Sequence, residues 1–194
     1  MGKLGFYFDM GRCIGCKSCQ VACKDKNNLA AGSFYRRADF FATQGTNVLF
    51  GYSGTCGHCQ NPECVAACPT GAMHKTDCGA TGHDRHKCIG CGCCIWGCPL
   101  GATSFSKQSG QSQKCNSCVD LRESGRQPAC VAACVSNCLA FGDLDMLKEQ
   151  LGGSMENAAY FLTDISLTSP KLLIKMRKGA MGAEDTMVNG ETDG

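Results

Sequence analysis

The chain has 194 residues, of which 19 are cysteine, and its 19 basic and 17 acidic residues give a formal net charge of +2. A cysteine share of about one tenth is typical of two classes, disulfide scaffolds and metal proteins. The scattered, nearly balanced charges argue against nucleic-acid binding, and no stretch approaches the ~20 apolar residues of a membrane span. We therefore expect a chain that is soluble by itself and carries no signal peptide, with export beside a signal-bearing partner left open.

The elements predicted along the chain are short. Apolar pieces beside the cysteines indicate strands, and helix-compatible residues between paired cysteines indicate helices, two of which Pro69 and Pro99 would end. In chain order we predict a strand at 5–8, a helix through 20–22, a surface loop at 24–52, a helix through 65–67, strands at 102–105 and 139–141, a helix at 143–151 and a flexible tail at 179–194. We expect the aromatic residues of the 24–52 loop to pack it down, with a partner-contact surface as the alternative.

Four cysteine runs of similar spacing form an internal repeat. Each run begins with closely spaced cysteines and ends in a C-x3-C step. The first run is Cys13, Cys16, Cys19 and Cys23; the second is Cys56, Cys59, Cys64 and Cys68; the third is Cys88, Cys91, Cys94 and Cys98; the fourth is Cys115, Cys118, Cys130 and Cys134.

The spacing within the runs is typical of iron–sulfur cluster ligands. Three cysteines at i, i+3 and i+6 can wrap one cubane, while a fourth cysteine four residues later lies about one helical turn, 5.4 Å, beyond. In two-cluster ferredoxins this last cysteine serves the other cluster, and a proline follows it. Pro69 and Pro99 complete that pattern after Cys68 and Cys98. The sixteen cysteines therefore predict four [4Fe–4S] clusters, which would bring the total charge to about −6.

Two other uses of the cysteines fit the spacing less well. A disulfide scaffold does not call for four similar runs, and nineteen is an odd number. Zinc prefers two separated pairs of ligands, so the C-x2-C starts of the second and fourth runs are where it would fit best. Cys78, Cys93 and Cys138 are left over, and we expect them to be buried free thiols.

Several residues near the runs have open roles. Cys93 directly precedes Cys94, and the spacing favours Cys94 as the ligand. His58 lies between two cysteines of the second run, where we expect an ordinary polar residue or a hydrogen-bond donor to sulfur. Trp96, inside the third run, is predicted to pack against a cluster rather than to conduct electrons.

Several motifs resemble the iron–sulfur subunit of the DMSO reductase family of molybdopterin oxidoreductases. They are Gly5-Phe6-Tyr7-Phe8-Asp9 running into Cys13-Ile14-Gly15-Cys16, Cys56-Gly57-His58-Cys59, Cys68-Pro69-Thr70-Gly71-Ala72-Met73, Cys88-Ile89-Gly90-Cys91 and Lys114-Cys115-Asn116-Ser117-Cys118. The resemblance covers roughly residues 4–145, with a weaker match at 172–175. It implies a four-cluster subunit beside a catalytic subunit with a molybdenum or tungsten pterin, often with a membrane anchor that exchanges electrons with quinol. The chain would then be cytoplasmic or held at a membrane through partners.

The resemblance also implies an α+β fold of two bacterial-ferredoxin-like lobes, each holding two [4Fe–4S] clusters. The outer lobe would comprise 1–52 and 109–145, the inner lobe 53–108, and 146–194 would be a C-terminal extension. The implied ligand sets are Cys13, Cys16, Cys19 with Cys134; Cys115, Cys118, Cys130 with Cys23; Cys56, Cys59, Cys64 with Cys98; and Cys88, Cys91, Cys94 with Cys68.

The sequence departs from the family pattern in two places. Val135 stands where a proline is expected after Cys134, and Cys138 offers an alternative C-x3-C end for the fourth run. The 76–87 connection is more polar than the apolar hairpin usual there.

We also expect residues 172–175 to dock on a partner or on the body of the protein.

Three functions follow from these features. The first is electron transfer to or from a molybdenum or tungsten enzyme. The second is the same role in a nickel–iron hydrogenase or carbon monoxide dehydrogenase complex. The third, an enzyme acting at an open cluster site, is disfavoured because every run supplies four thiolates. The absence of G-x-G-x-x-G, P-loop and nucleophile-elbow motifs argues against nucleotide chemistry.

Overall fold

The computed structural model describes residues 3–43, 49–154, 165, 167–177 and 185–187. The strands are β1 (Leu4–Asp9), β2 (Arg36–Thr43), β3 (Leu49–Thr55), β4 (Met73–Lys75), β5 (Thr81–His83), β6 (Thr103–Ser106), β7 (Gln111–Lys114), β8 (Leu139–Asp143), β9 (Leu172–Lys175) and β10 (Asp185–Met187). The helices are α1 (Ser18–Lys26), α2 (Glu63–Ala66), α3 (Cys93–Trp96), α4 (Val119–Glu123), α5 (Ala129–Ala132) and α6 (Leu144–Leu151). Among the described residues, no helix has the length and apolar character needed to cross a bilayer.

A three-stranded sheet joins the N-terminal strand β1 to two strands from the second half of the chain, β8 and β9. β1 lies in the middle, antiparallel to β8 and parallel to β9. Successive side chains of a strand point to opposite faces, so Phe6 and Phe8 enter the main core while Tyr7 packs with Leu144 and Leu173 beside α6. The 172–175 segment therefore docks on the body of the protein, which is one of the two predicted outcomes.

The 24–52 segment differs from the prediction of a surface loop. β2 and β3 pair antiparallel from Arg36 opposite Thr55 to Ala42 opposite Leu49, and residues 44–48 lie outside the described part. Ala38 and Phe50 are buried in the main core, and the Phe41 and Phe50 rings stack at 5.6 Å. The ladder forms because both strands have an apolar face, which the polar first part of the segment obscures in the sequence.

The predicted tail is described only in part. Residues 185–187 form β10, which pairs antiparallel with β2 opposite 41–43, so these three residues are a strand rather than flexible coil. The remaining residues of 179–194 lie outside the described part.

The other predicted elements form with small shifts in their bounds. The predicted strands at 102–105 and 139–141 correspond to β6 and β8, and the helix at 143–151 corresponds to α6. Asp143 caps α6, because its side chain accepts hydrogen bonds from the N–H groups of Asp145 and Met146 at 3.0 and 3.2 Å. The polar 76–87 connection still contains a hairpin strand, since β5 pairs with β4.

The helices of the second and third runs end earlier than the positions of Pro69 and Pro99 predict. α2 and α3 end at Ala66 and Trp96, three residues before Pro69 and Pro99. The corresponding helix of the fourth run, α5, also ends two residues before its last cysteine, Cys134, although Val135 follows it. The early end is therefore shared by these three runs and does not depend on the proline. Cys68 and Cys98 therefore lie just beyond their helices.

Cysteine makes up much of the buried interior. Of the 24 buried apolar residues in the described part, ten are cysteines, and most of these belong to one cluster with Phe6, Phe8 and Ile174. A smaller cluster contains Cys64, Cys94 and Met73. The interior is therefore organised around sulfur atoms rather than around aliphatic side chains alone.

Candidate iron–sulfur cluster sites

The second and third runs meet at a cavity lined by Cys68, Cys88, Cys91 and Cys94. The last cysteine of the second run thus faces the first three cysteines of the third run. The cavity is also lined by Met73 and Ser112, and the Cys94 Sγ lies 3.1 Å from the Ser112 Oγ. Cys93 does not line it, in agreement with the spacing that favours Cys94.

A second group of sulfurs brings Cys98 to the second run. The pKa of Cys64 is raised to about 12, first by burial and then by the neighbouring Cys56, Cys98 and Cys59. Burial likewise raises the pKa of Cys59, with additional raising by Cys56 and Cys98. Repulsion between thiolates has these effects only when the groups are near one another, so Cys98 is close enough to the second run for its charge to act there.

The last cysteine of the first run lies near the cysteines of the fourth run. The pKa of Cys23 is raised to about 12, first by burial and then by Cys115, Cys130 and Cys118 of the fourth run. Cys23 sits in α1, one turn after Cys19, and α1 packs against α5, which carries Cys130. The helix thus carries Cys23 away from its own run and toward the fourth.

The fourth group lies around Cys13, Cys19 and Cys134. A hydrogen bond from Cys138 lowers the pKa of Cys13, against opposing effects of burial and of Cys19 and Cys134. Burial raises the pKa of Cys19, and Cys134 contributes to that rise. Cys16, the remaining member of the first run, is exposed.

Neighbouring groups are close enough to interact, so the four form a row. Cys115 of the fourth run has its pKa raised to about 11 by burial and then by Cys56 of the second run. Cys19 is similarly influenced by Cys130. Cys64 of the second run and Cys94 of the third run lie in one buried cluster. The groups thus follow one another in the order Cys88 with Cys68, Cys56 with Cys98, Cys115 with Cys23, and Cys13 with Cys134.

Backbone N–H groups point at one sulfur in each of several groups. Met73 donates to Cys68 at 3.4 Å, His58 to Cys56 at 3.4 Å, Ser117 to Cys115 at 3.2 Å and Cys138 to Cys134 at 3.3 Å. Such bonds stabilise the thiolate form and tune the potential of a bound cluster. The polypeptide is therefore arranged to hold negative charge at these sulfurs.

The His58 ring is buried and accepts a hydrogen bond from the Thr81 backbone. Its Nδ1 accepts the Thr81 N–H at 3.2 Å, so Nε2 carries the proton, and that nitrogen has no hydrogen-bond partner among the described residues. Burial, followed by the nearby Lys114 and Lys75, holds its pKa well below the usual range. The expected hydrogen bond to sulfur comes from the His58 backbone rather than from its ring.

Of three predictions about residues outside the ligand sets, one is confirmed and two are wrong. Cys138 is a buried free thiol as predicted, but Cys78 is exposed, with Thr76 Oγ1 at 3.2 Å and Arg122 at 3.9 Å from its sulfur. Trp96 is 85 % exposed. The prediction that it packs against a cluster is wrong, because α3 turns its Cys94 side inward and Trp96 lies on the opposite side.

The cysteines are neither disulfide-bonded nor arranged around a single ion. All nineteen lie within the described residues, and all nineteen are free thiols. In the part of the chain that the structure describes, no three histidine, cysteine or acidic side chains converge closely enough to hold one metal ion. A cluster is a larger body than an ion, so its ligand sulfurs stand further apart.

The structure also reveals residues that the sequence patterns missed. Arg36 and Lys114 are cations that are buried beside cysteine groups. No motif contains Arg36, and Lys114 enters only as the first residue of the motif Lys114-Cys115-Asn116-Ser117-Cys118. Neither is expected inside, because charged residues in a short polar segment usually lie at the surface. Only the pairing of β2 with β3 and of β6 with β7 brings them inside.

The chain is similar to known iron–sulfur proteins over nearly its whole length. Two family models described as "4Fe-4S dicluster domain" match residues 48–144 and 12–72. The chain is 38% identical to the B subunit of the anaerobic dimethyl sulfoxide reductase of Haemophilus influenzae, over 96% of this protein and 95% of that one. It is 36% identical to the corresponding B subunit of Escherichia coli K12, over 95% and 94% of the two proteins.

The chain belongs to the family of DMSO reductase iron–sulfur subunits. A further relative, "Thiosulfate reductase electron transfer subunit PhsB" of Salmonella typhi, is 39% identical over 71% of this protein and 74% of that one. Members of this family are electron-transfer subunits of oxidoreductase complexes, and the chain is such a subunit, with ferredoxin-type iron–sulfur domains and a place in anaerobic respiration.

Proposed function

We propose that this chain carries four [4Fe–4S] clusters in two ferredoxin-like lobes, with the fourth cysteine of each run serving the neighbouring run. The observation that carries the proposal is the cavity lined by Cys68 together with Cys88, Cys91 and Cys94. Three cysteines of one run and one of another are the ligand set expected for a cluster of this kind. The proposed sets are Cys13, Cys16, Cys19 and Cys134; Cys115, Cys118, Cys130 and Cys23; Cys56, Cys59, Cys64 and Cys98; and Cys88, Cys91, Cys94 and Cys68.

The residues present fit clusters of net negative charge. Peptide N–H groups donate to Cys56, Cys68, Cys115 and Cys134, and the buried cations Arg36 and Lys114 lie next to cysteine groups. Bound clusters would supply one-electron redox chemistry at these positions. The chain itself supplies the ligands, excludes water and sets the local charge.

Exposure along the row of groups supports a path with two ends. Cys91 in the first group and Cys16 in the last are exposed, whereas the two middle groups contain the buried Cys56, Cys64, Cys115, Cys118 and Cys130. Electrons would therefore enter at one end and leave at the other, passing through two buried clusters. A buried middle also protects reduced clusters from solvent.

The partners at the two ends follow from the family. We propose that the chain passes electrons between a quinol-side or soluble donor and a catalytic subunit with a molybdenum or tungsten pterin. Its relatives carry the names of dimethyl sulfoxide, thiosulfate and tetrathionate reductases and of a sulfite dehydrogenase. A membrane-anchor subunit would hold the complex at a membrane, and the chain would lie there or in the cytoplasm through its partners.

Metal analysis of the native complex tests the identity of the partner. The complex should be purified anaerobically through this chain, and the co-purifying proteins should be analysed for molybdenum, tungsten and nickel. We expect about one molybdenum or tungsten atom per complex. Stoichiometric nickel without either metal would favour a hydrogenase or carbon monoxide dehydrogenase complex instead.

Iron and sulfide counts test the clusters themselves. We expect about sixteen iron atoms and sixteen acid-labile sulfides per chain, four of each for every cluster. Cys68→Ser should remove about four of them or convert one cluster to a form with altered EPR. Cys93→Ser, a matched change outside the cavity, should leave the count unchanged. About eight iron atoms in the unmodified chain, or stoichiometric zinc, would contradict the proposal.

A further inference from the structure

Arg36 is a buried cation with no carboxylate partner among the described residues. It begins β2 and is 2% exposed. Transfer of a charged group out of water is costly unless other groups compensate for it. An arginine that stays buried without an acidic partner therefore points to a different source of negative charge.

The direct contacts of Arg36 use only part of its guanidinium group. Nη1 donates to the Ser53 carbonyl at 3.1 Å and to the Ser53 Oγ at 3.0 Å. The group also lies over the Phe6 ring, 4.9 Å from its centre. Nε and Nη2 are buried and have no hydrogen-bond partner in the described part of the chain. These two donors are left for the sulfur-rich surroundings, in which the Cys130 thiol of the fourth run interacts with the guanidinium.

Cysteines from two different groups surround Arg36. Burial by itself lowers the pKa of Arg36, but the thiols of Cys130, Cys19 and Cys115 outweigh it and raise that pKa. Cys19 belongs to the first run, and its Sγ lies 3.4 Å from the Ser53 Oγ that Arg36 also contacts. Cys130 and Cys115 belong to the fourth run. The Phe6 ring under the guanidinium belongs to the same core cluster as Cys19, Cys115 and Cys130, so the guanidinium is near sulfurs of both groups.

We propose that Arg36 is the fixed positive charge that sets the reduction potentials of the two clusters held by the first and fourth runs. The inference rests on the ligand sets of the proposed function. One-electron reduction takes an oxidised cluster with four thiolates from about −2 to about −3, without a proton. A nearby cation in a site of low dielectric stabilises the more negative form more strongly and so raises the potential. The same charge reduces the repulsion between two adjacent anionic clusters.

The test is a potentiometric titration of the native complex followed by EPR. Arg36→Gln removes the charge and keeps an amide that can reach Ser53. We expect it to make reduction of at least one of these two clusters about tenfold less favourable, which is about 59 mV for one electron. The clusters of the second and third runs should keep their potentials.

Two further variants separate charge from structure. Arg37→Gln changes the adjacent arginine, which is partly exposed and pairs with Asp39 at 3.2 Å, and should leave every potential unchanged. Arg36→Lys keeps the charge and should shift the potentials by less than half as much as Arg36→Gln. Unchanged potentials in an Arg36→Gln protein with its full iron content would overturn the proposal.

Loss of iron from the Arg36 variants also bears on the proposal. If Arg36→Gln loses iron, an Arg36→Lys protein with a full iron content and near-native potentials supports a role of the charge. Loss of iron from the lysine variant as well would make Arg36 structural and overturn the proposal. Failure of the four-cluster assignment would appear earlier, as a low iron count in the unmodified complex, and is distinguishable from failure of the Arg36 proposal.

Discussion

At the residue scale, one backbone conformation recurs in all four runs. The second residue after the first cysteine has a positive φ in each case: Gly15 at 64°, His58 at 44°, Gly90 at 72° and Ser117 at 56°. Left-handed backbone turns the chain so that the following residues wrap around one point. Glycine adopts it at little cost, whereas histidine and serine adopt it only when other contacts compensate.

Gly90 should tolerate a side chain less well than Gly92. Both have positive φ, but a Cβ at Gly90 would lie 2.2 Å from the Gly110 carbonyl oxygen, while a Cβ at Gly92 meets nothing within 4 Å. Gly92→Ala should cost about 1–2 kcal/mol of backbone strain alone. Gly90→Ala should also displace the loop and lower the iron content. Equal iron content and equal thermal stability of the two variants would contradict this expectation.

The last ligand of the fourth run should be Cys134 rather than Cys138. The Cys138 N–H donates to the Cys134 Sγ at 3.3 Å, just as the Met73 N–H donates to the Cys68 Sγ at 3.4 Å. The two sulfurs of Cys134 and Cys138 are 3.3 Å apart, so Cys138 is close enough to compete. The shared amide contact nevertheless makes Cys134 the counterpart of Cys68.

Serine variants test this choice. Cys134→Ser should perturb the EPR signal or iron content of one cluster, the one whose other ligands lie in the first run, and Cys138→Ser should keep all four clusters. Anaerobic iron counts and EPR spectra of both variants provide the measurement. Loss of a cluster from the Cys138 variant alone would reverse the assignment.

At the element scale, β9 secures residues 172–175 to the N-terminal strand β1. It is the parallel neighbour of β1, and Leu172, Leu173 and Ile174 are all at most 3% exposed. Leu173 joins the small cluster under α6, while Leu172 and Ile174 join the main core. β9 thus contributes to both faces of the sheet.

Truncation of Ile174 should therefore destabilise the protein. Ile174→Ala removes a fully buried side chain and should cost about 2–5 kcal/mol, whereas Lys175→Ala, on the half-exposed neighbour, should cost about 0.5 kcal/mol or less. Anaerobic thermal unfolding compares the two. Limited proteolysis of the intact complex should also spare 171–176, and cleavage inside this segment would count against the docked strand.

At the scale of the whole molecule, the interior depends on the cysteine groups. Ten of the 24 buried apolar residues described are cysteines, and the pKa of several of these thiols is raised because they lie together in a dry interior. Metal sites of this kind contribute folding free energy directly, since they do not exist in the unfolded chain. α1 carries one cysteine of each of two adjacent groups, Cys19 and Cys23, so loss of one of these sites should loosen the other.

Removal of iron should therefore unfold most of the chain. After oxidative removal of the clusters in the presence of a chelator, we expect the cooperative thermal transition to disappear and amide exchange in α1 and α5 to become fast. Residual protection should be greatest around Tyr7, Leu144 and Leu173, whose cluster contains no cysteine. An iron-free chain with an unchanged thermal transition would contradict this expectation.

The sequence by itself determined the local features of this protein. The spacing of the runs predicts the type of cofactor, the short helices beside them and strands such as β6 and β8, because these depend on contacts between residues near in the chain. The tertiary structure alone decided that the 24–52 segment contains a hairpin and that Arg36 is buried beside cysteines of the first and fourth runs. It also decided which distant sulfurs lie near one another, which the spacing of the runs leaves open. The hairpin needs the apolar faces of β2 and β3 to pair, and the burial of Arg36 needs segments far apart in the chain to dock; neither leaves a periodic signal in the sequence.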